Sequence, residues 1–234
     1  MASFPGFERL YYVDDPFAKA YLRGDITFDG DAFALTRGEV RPSAPVSVTW
    51  GMGGQRPADF VWTTSLSPLL MHARVHEMLR NERFTGWTTY PVNLTGKNGT
   101  PYPDYVGLAI TGRCAAKDLS RSDVVVRQYP GGWYPELQGH YFNEASWTGD
   151  DLFMESPAES GSLTAFMFVT ERVVQAAWKA KLTNVSLTRL VDVSVPVDTY
   201  DTPAGRERLP PNFASRVREA YRSAGVPRPK RWVD

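Results

Sequence analysis

Apolar positions along this chain recur in two spacings, and each spacing predicts a kind of element. The run "VSVTW" at 46–50 alternates Val46, Val48 and Trp50 on one side, the period of a half-buried strand. Short strands are also predicted at Thr89 to Leu94, Tyr105 to Ile110 and Val124 to Gln128, while "ITF" at 26–28 is a short apolar run in a Gly- and Asp-punctuated region. "LTAFMFVT" at 163–170 is almost continuously apolar, the mark of a strand covered on both faces. A helix is predicted over "SPLLMHARVHEMLR" at 67–80, where Leu70, Ala73, Val75, Met78 and Leu79 follow helical spacing. Ser67 serves there as N-cap and Pro68 as the first helical residue. "GMGGQRPAD" at 51–59 reads as a loop and "YPGGWYPELQGHYF" at 129–142 as irregular, aromatic-rich chain.

The stretch "FVTERVVQAAWKAKLTNVSL" at 168–187 predicts a complete strand–helix–strand unit. Thr170 ends a strand and can cap the helix, and Glu171 sits beside the positive helix end. Val173, Val174, Ala177, Trp178 and Leu182 are assigned to one buried face. Lys179 and Lys181 lie near the negative end, and Asn184 is a residue type that tolerates the left-handed conformation there. "VSLTRLVDVSV" at 185–195 then alternates as one strand, interrupted on its apolar side by Arg189. The expected fold is therefore α+β: a single domain over residues 1–200 with a mixed or mostly antiparallel sheet and two main helices, 68–80 and 171–182. Residues 201–234 read as a Pro/Arg-rich surface tail with one short helix, about Asn212 to Ala224.

Charge narrows the classes of partner. Acidic and basic residues balance at 26 each, which argues against a nucleic-acid protein needing excess positive charge. A lone cysteine, Cys114, leaves no intramolecular disulfide and no cysteine metal cluster. No stretch resembles a secretory leader or a membrane span, so a cytoplasmic location is expected.

Candidate chemistry is sparse. His72 and His76 stand four apart on the predicted helix and could share a metal with His140, but the zinc-protease pattern is missing and we read them as helix-surface residues. "GMGG" lacks the Lys-Ser/Thr of a phosphate loop. Cys114 has Arg113 and Lys117 nearby, yet a buried, inert thiol is the simpler reading. The acidic pairs at 14–15 and 150–151 could do acid–base work, the second more readily because Tyr141 and Trp147 lie beside it. No catalytic residue, metal or cofactor is assigned.

The segment from about 66 to 193 resembles immunity protein family 11, formerly domain of unknown function 1629, of bacteria that carry polymorphic toxins. The resemblance rests on "SPLLMHARVHEML", "YPVNL" at 90–94, "YVGLAITGRCAAKDLSRS" at 105–122, "GDDLFM" at 149–154 and the unit at 168–187. Thr170 and Asn184 stand where family members are expected to have Ser and Gly. What the resemblance implies is a non-catalytic protein that binds and neutralises a cognate toxin encoded nearby. Its partner-binding residues are expected among Trp133, Tyr134, Tyr141, Trp147, Asp150 and Asp151, the carboxylates attracting a basic toxin. The alternative is a small-molecule-binding protein or enzyme with an aromatic pocket around Trp133, His140 and Trp147.

Overall fold

The structure is a computed structural model and describes residues 3–64, 69–156, 166–200 and 203–227. Its strands run, in chain order, β1 (Leu10–Asp14), β2 (Leu22–Thr27), β3 (Val46–Gly53), β4 (Phe60–Trp62), β5 (Leu69–His72), β6 (Trp87–Thr95), β7 (Pro101–Tyr102), β8 (Tyr105–Ile110), β9 (Gly112–Cys114), β10 (Asp123–Tyr129), β11 (Gly132–Gln138), β12 (Leu152–Glu155), β13 (Met167–Thr170), β14 (Ser186–Arg189) and β15 (Ser194–Pro196). The longer helices are Ala73–Asn81, Glu171–Lys179 and Phe213–Ala224. A seven-stranded sheet is ordered β2-β3-β6-β8-β5-β4 with β7 beside β6; a five-stranded sheet is ordered β14-β1-β13-β12-β9; a three-stranded sheet is ordered β10-β11-β15. The β3–β6 and β9–β12 ladders are parallel and the other ladders antiparallel. The fold is mixed α+β and mostly antiparallel, as the sequence predicts.

The period of two in each strand decides which core a side chain enters. In β8, Leu108 and Ile110 enter the core shared with the five-stranded sheet, while Ala109 enters the core on the far side of its own sheet. In β13, Met167 and Val169 meet that shared core, while Phe168 enters an aromatic core with Phe142 and Phe153. Both faces are covered, which is why these strands read as unbroken apolar runs.

The first predicted helix is corrected by the same rule. Leu69 and Met71 enter the shared core and Leu70 the opposite one, so 69–72 is a central strand between β4 and β8. One helix face could not bury three consecutive large residues. The helix begins at Ala73, with the His72 ring nitrogen accepting from Arg74 N at 3.2 Å as its cap; Ser67 and Pro68 lie outside the described residues.

Around residues 168–187 the strand–helix–strand unit stands as predicted, and β1 lies between its two strands. Three details differ. Trp178 is 62% exposed. The buried arc is Val173, Val174 and Ala177, and Trp178 falls roughly 90° from its centre at 100° per residue. The Thr170 hydroxyl caps nothing, because it donates to Asp151 Oδ1 at 3.0 Å. The alternating run 185–195 is also not one strand: a 3-10 turn at Leu190–Asp192 buries Leu190 and separates β14 from β15. Asn184 does take a left-handed φ of 61°, as does Lys181 at 51°.

The aromatic stretch read as irregular contains β11, paired along its length with β10. The stretch read as a surface tail buries Phe213, Val217 and Tyr221 against Leu119, Leu137 and Val197. Its helix therefore packs by an apolar stripe, with Glu219 and Arg222 on the exposed side.

Candidate functional site: the 123–138 hairpin and the polar cluster at its base

The β10–β11 hairpin closes with Tyr129 opposite Gly132, across the two-residue turn Pro130-Gly131. Tyr129 and Tyr134 sit at that end, 46% and 38% exposed, with ring centroids 6.1 Å apart edge to face. The Tyr129 hydroxyl donates to the Glu136 carboxylate, which Arg127 Nε approaches to 2.8 Å. These contacts fix the ring direction while leaving its face to solvent. The sequence reading does not single out Tyr129, because it takes 129–142 as irregular; Pro130-Gly131 is the turn signal that marks the hairpin.

The other expected partner-binding residues are dispersed. Trp133 turns inward to the C-terminal core, where its carbonyl accepts from the Tyr221 hydroxyl at 2.7 Å. Tyr141 lies half-buried under the Arg121 guanidinium, and Trp147 packs edge-on against Phe4 and Phe153. Asp150 accepts from the Thr148 hydroxyl at 2.6 Å. Asp151 is buried and holds Thr170, Arg172 and the Thr85 amide, so its carboxylate is not offered to a partner. Trp133 and Trp147 belong to different cores and do not line one aromatic pocket with His140.

At the base of the hairpin stands a group the sequence did not bring together. Lys117, His140 and Glu155 are 7%, 3% and 7% exposed. His140 Nε2 lies 2.9 Å from Glu155 Oε1, an ion-pair distance but off the direction of a good hydrogen bond. Its ring rests against Phe168, 4.7 Å between centroids. The Lys117 ammonium is buried, with no hydrogen-bond partner among the described residues. Burial lowers it to about 8, against the opposing pull of Glu155, and Arg208 pushes the same way as burial. Burial also lowers His140, which Glu155 only partly offsets. Lys117 therefore gives up its proton closer to neutral pH than an ordinary lysine does.

The remaining candidates resolve into structure. His76 packs edge-on against Trp87, and among the described residues no group of three His, Cys, Asp or Glu is placed to hold a metal. Gly54 donates its N–H to Tyr21 O, and a Cβ there would meet Ala20 O at 2.0 Å. The glycines of "GMGG" thus admit a close backbone approach, and Gly51 to Gly53 extend β3. Cys114 is buried in the aromatic core, and Asp15 is buried against Arg23. No protein-family model matches this chain, and no curated protein matches it either.

Proposed function

We propose that this chain is an immunity-type binding protein that neutralises a cognate bacterial toxin in the cytoplasm, without catalysis, and that the partner docks on the end of the β10–β11 hairpin. The observation that supports this reading is the exposed Tyr129–Tyr134 pair, held in place by Glu136 and Arg127. Tyr and Arg are the residue types that anchor protein interfaces, and rings oriented in advance lose little freedom on binding. The resemblance to immunity protein family 11 supplies the kind of partner. Co-expression with the product of a neighbouring toxin gene should restore growth and yield a 1:1 complex. Replacing Tyr129 and Tyr134 together by Ala should weaken that complex by about 2 kcal/mol, some thirtyfold in Kd. Full affinity in that variant moves the interface elsewhere, and failure to bind any neighbouring gene product removes the immunity reading.

A second reading is favoured by Lys117. A buried amine lowered to about 8 and with no hydrogen-bond partner among the described residues is suited to attack a carbonyl, with Glu155 and His140 within electrostatic reach to move protons. Borohydride reduction in the presence of a small aldehyde would fix such an adduct at Lys117. An unmodified Lys117 peptide by mass spectrometry removes this reading.

A further inference from the structure

The three-stranded sheet ends in an unguarded edge. β10 is bonded to β11 on one side only, and no described residue pairs with its other side. The register shows which backbone groups are free. Val126 faces Pro135, which has no N–H, so that pair is not hydrogen-bonded. Alternation then gives the β11 ladder to Asp123, Val125, Arg127 and Tyr129. The N–H and C=O groups of Val124, Val126 and Gln128 point the other way, out of the sheet. Protected edges carry a proline, a bulge, a very short strand or charged side chains, and of these β10 has only Asp123 and Arg127. β10 has seven residues, three consecutive valines and an unbroken register.

We propose that a second copy of this chain pairs with β10 across a two-fold axis, joining two three-stranded sheets into one of six strands. The outward groups can bond only in registers that place Val124, Val126 and Gln128 opposite one another. With Val124 opposite Val126 of the second copy, Val125 meets its own counterpart at the axis and Asp123 meets Arg127 twice. Sliding by two residues in either direction places Asp123 opposite Val125 or opposite Tyr129, and the charge match is lost. Asp123 is exposed and no described residue forms an ion pair with it, so its carboxylate can join Glu136 as a second partner of that arginine. The flank of the edge also has room. A groove of about 550 Å³ runs between Asp123–Val126 and the 213–224 helix, whose residues there include Ala220, Ser223 and Ala224. Small side chains at three of its positions let the helix of the second copy approach along the same face. A single-strand seam is short, so the dimer is reversible.

The register makes the test specific. Val125→Cys should cross-link to a covalent dimer on mild oxidation, because directly opposed residues bring their Cβ atoms within disulfide reach, whereas Gln128→Cys should not. Light scattering of the purified protein should show monomer giving way to dimer as concentration rises. Asp123→Lys, which sets Lys against Arg127, should raise the dimer Kd about tenfold or more with an unchanged melting temperature. A monomer at every concentration overturns the proposal. So does a dimer that Asp123→Lys leaves intact, or cross-linking through Gln128→Cys in place of Val125→Cys.

Discussion

Asp59 and Lys117 are each 7% exposed, yet their surroundings are built in opposite ways. Asp59 precedes β4 and accepts bonds from Arg74, from Thr183 N at 2.7 Å and from the Thr183 hydroxyl at 2.7 Å. Arg74 in turn donates to Ala180 O and Lys181 O at 3.3 Å, the carbonyls that end the 171–179 helix. Burial by itself would raise the Asp59 carboxyl, but Arg74 and Thr183 outweigh it and hold it below the usual carboxylate range. Lys117 has Coulombic neighbours and, among the described residues, no hydrogen bond. A saturated polar network joins distant segments; an unsaturated one keeps its groups in an unfavourable state, which is what a reacting or ligand-holding group requires.

Substitutions at the two clusters should diverge accordingly. The largest effect is expected from Asp59→Ala, which strands Arg74 and both Thr183 groups and should cost about 3 kcal/mol in chemical denaturation. Next comes Glu155→Gln, which leaves the Lys117 ammonium buried without a counter-charge and should cost about 2 kcal/mol. Adding Lys117→Met to that variant should recover most of the loss; strict additivity in the double-mutant cycle would show that the two groups are not coupled.

A smaller effect is expected from pH. Burial holds the folded pKa of His140 below the ordinary imidazole value of 6.5. The unfolded chain therefore binds the proton first, so the contribution is fully present above pH 6.5 and declines as pH falls toward the folded pKa. Denaturation midpoints between pH 7 and 5 should show this decline, and His140→Gln should flatten it. The smallest effect is expected at Trp178, where truncation to Ala should change stability by less than about 0.5 kcal/mol. A loss of several kcal/mol would place the ring inside.

How much of this was legible in the sequence differs by element. The 168–187 unit could be read because local signals and packing agree: Glu171 and Lys179 suit the helix ends and the buried triad follows helical spacing. Trp178 was misassigned because the helix stops at Lys179, so Leu182 does not extend the face on which Trp178 was placed. Leu70 fits the helical stripe of Ala73, Val75, Met78 and Leu79, whereas Leu69 and Met71 fit only a doubly buried strand, which β4 and β8 on either side provide. At the hairpin, Trp133 and Tyr134 are adjacent in sequence but point to opposite faces once β11 is a strand. The Lys117–His140–Glu155 cluster joins a loop and the ends of two strands, and no spacing in the chain encodes that meeting.

The placement of β1 between β13 and β14 governs when the molecule can close. During synthesis at about 5–20 residues per second, Leu10–Asp14 waits roughly 10–30 s before both lateral strands have been made. Through that interval its two edges are unpaired, and the contacts that finally cover them are among the most distant in the chain. A product terminated before Ser186 would hold its first strand without the outer neighbour. It should behave as a sticky fragment, drawn into aggregates or held by chaperones, and not as a smaller working version of the protein.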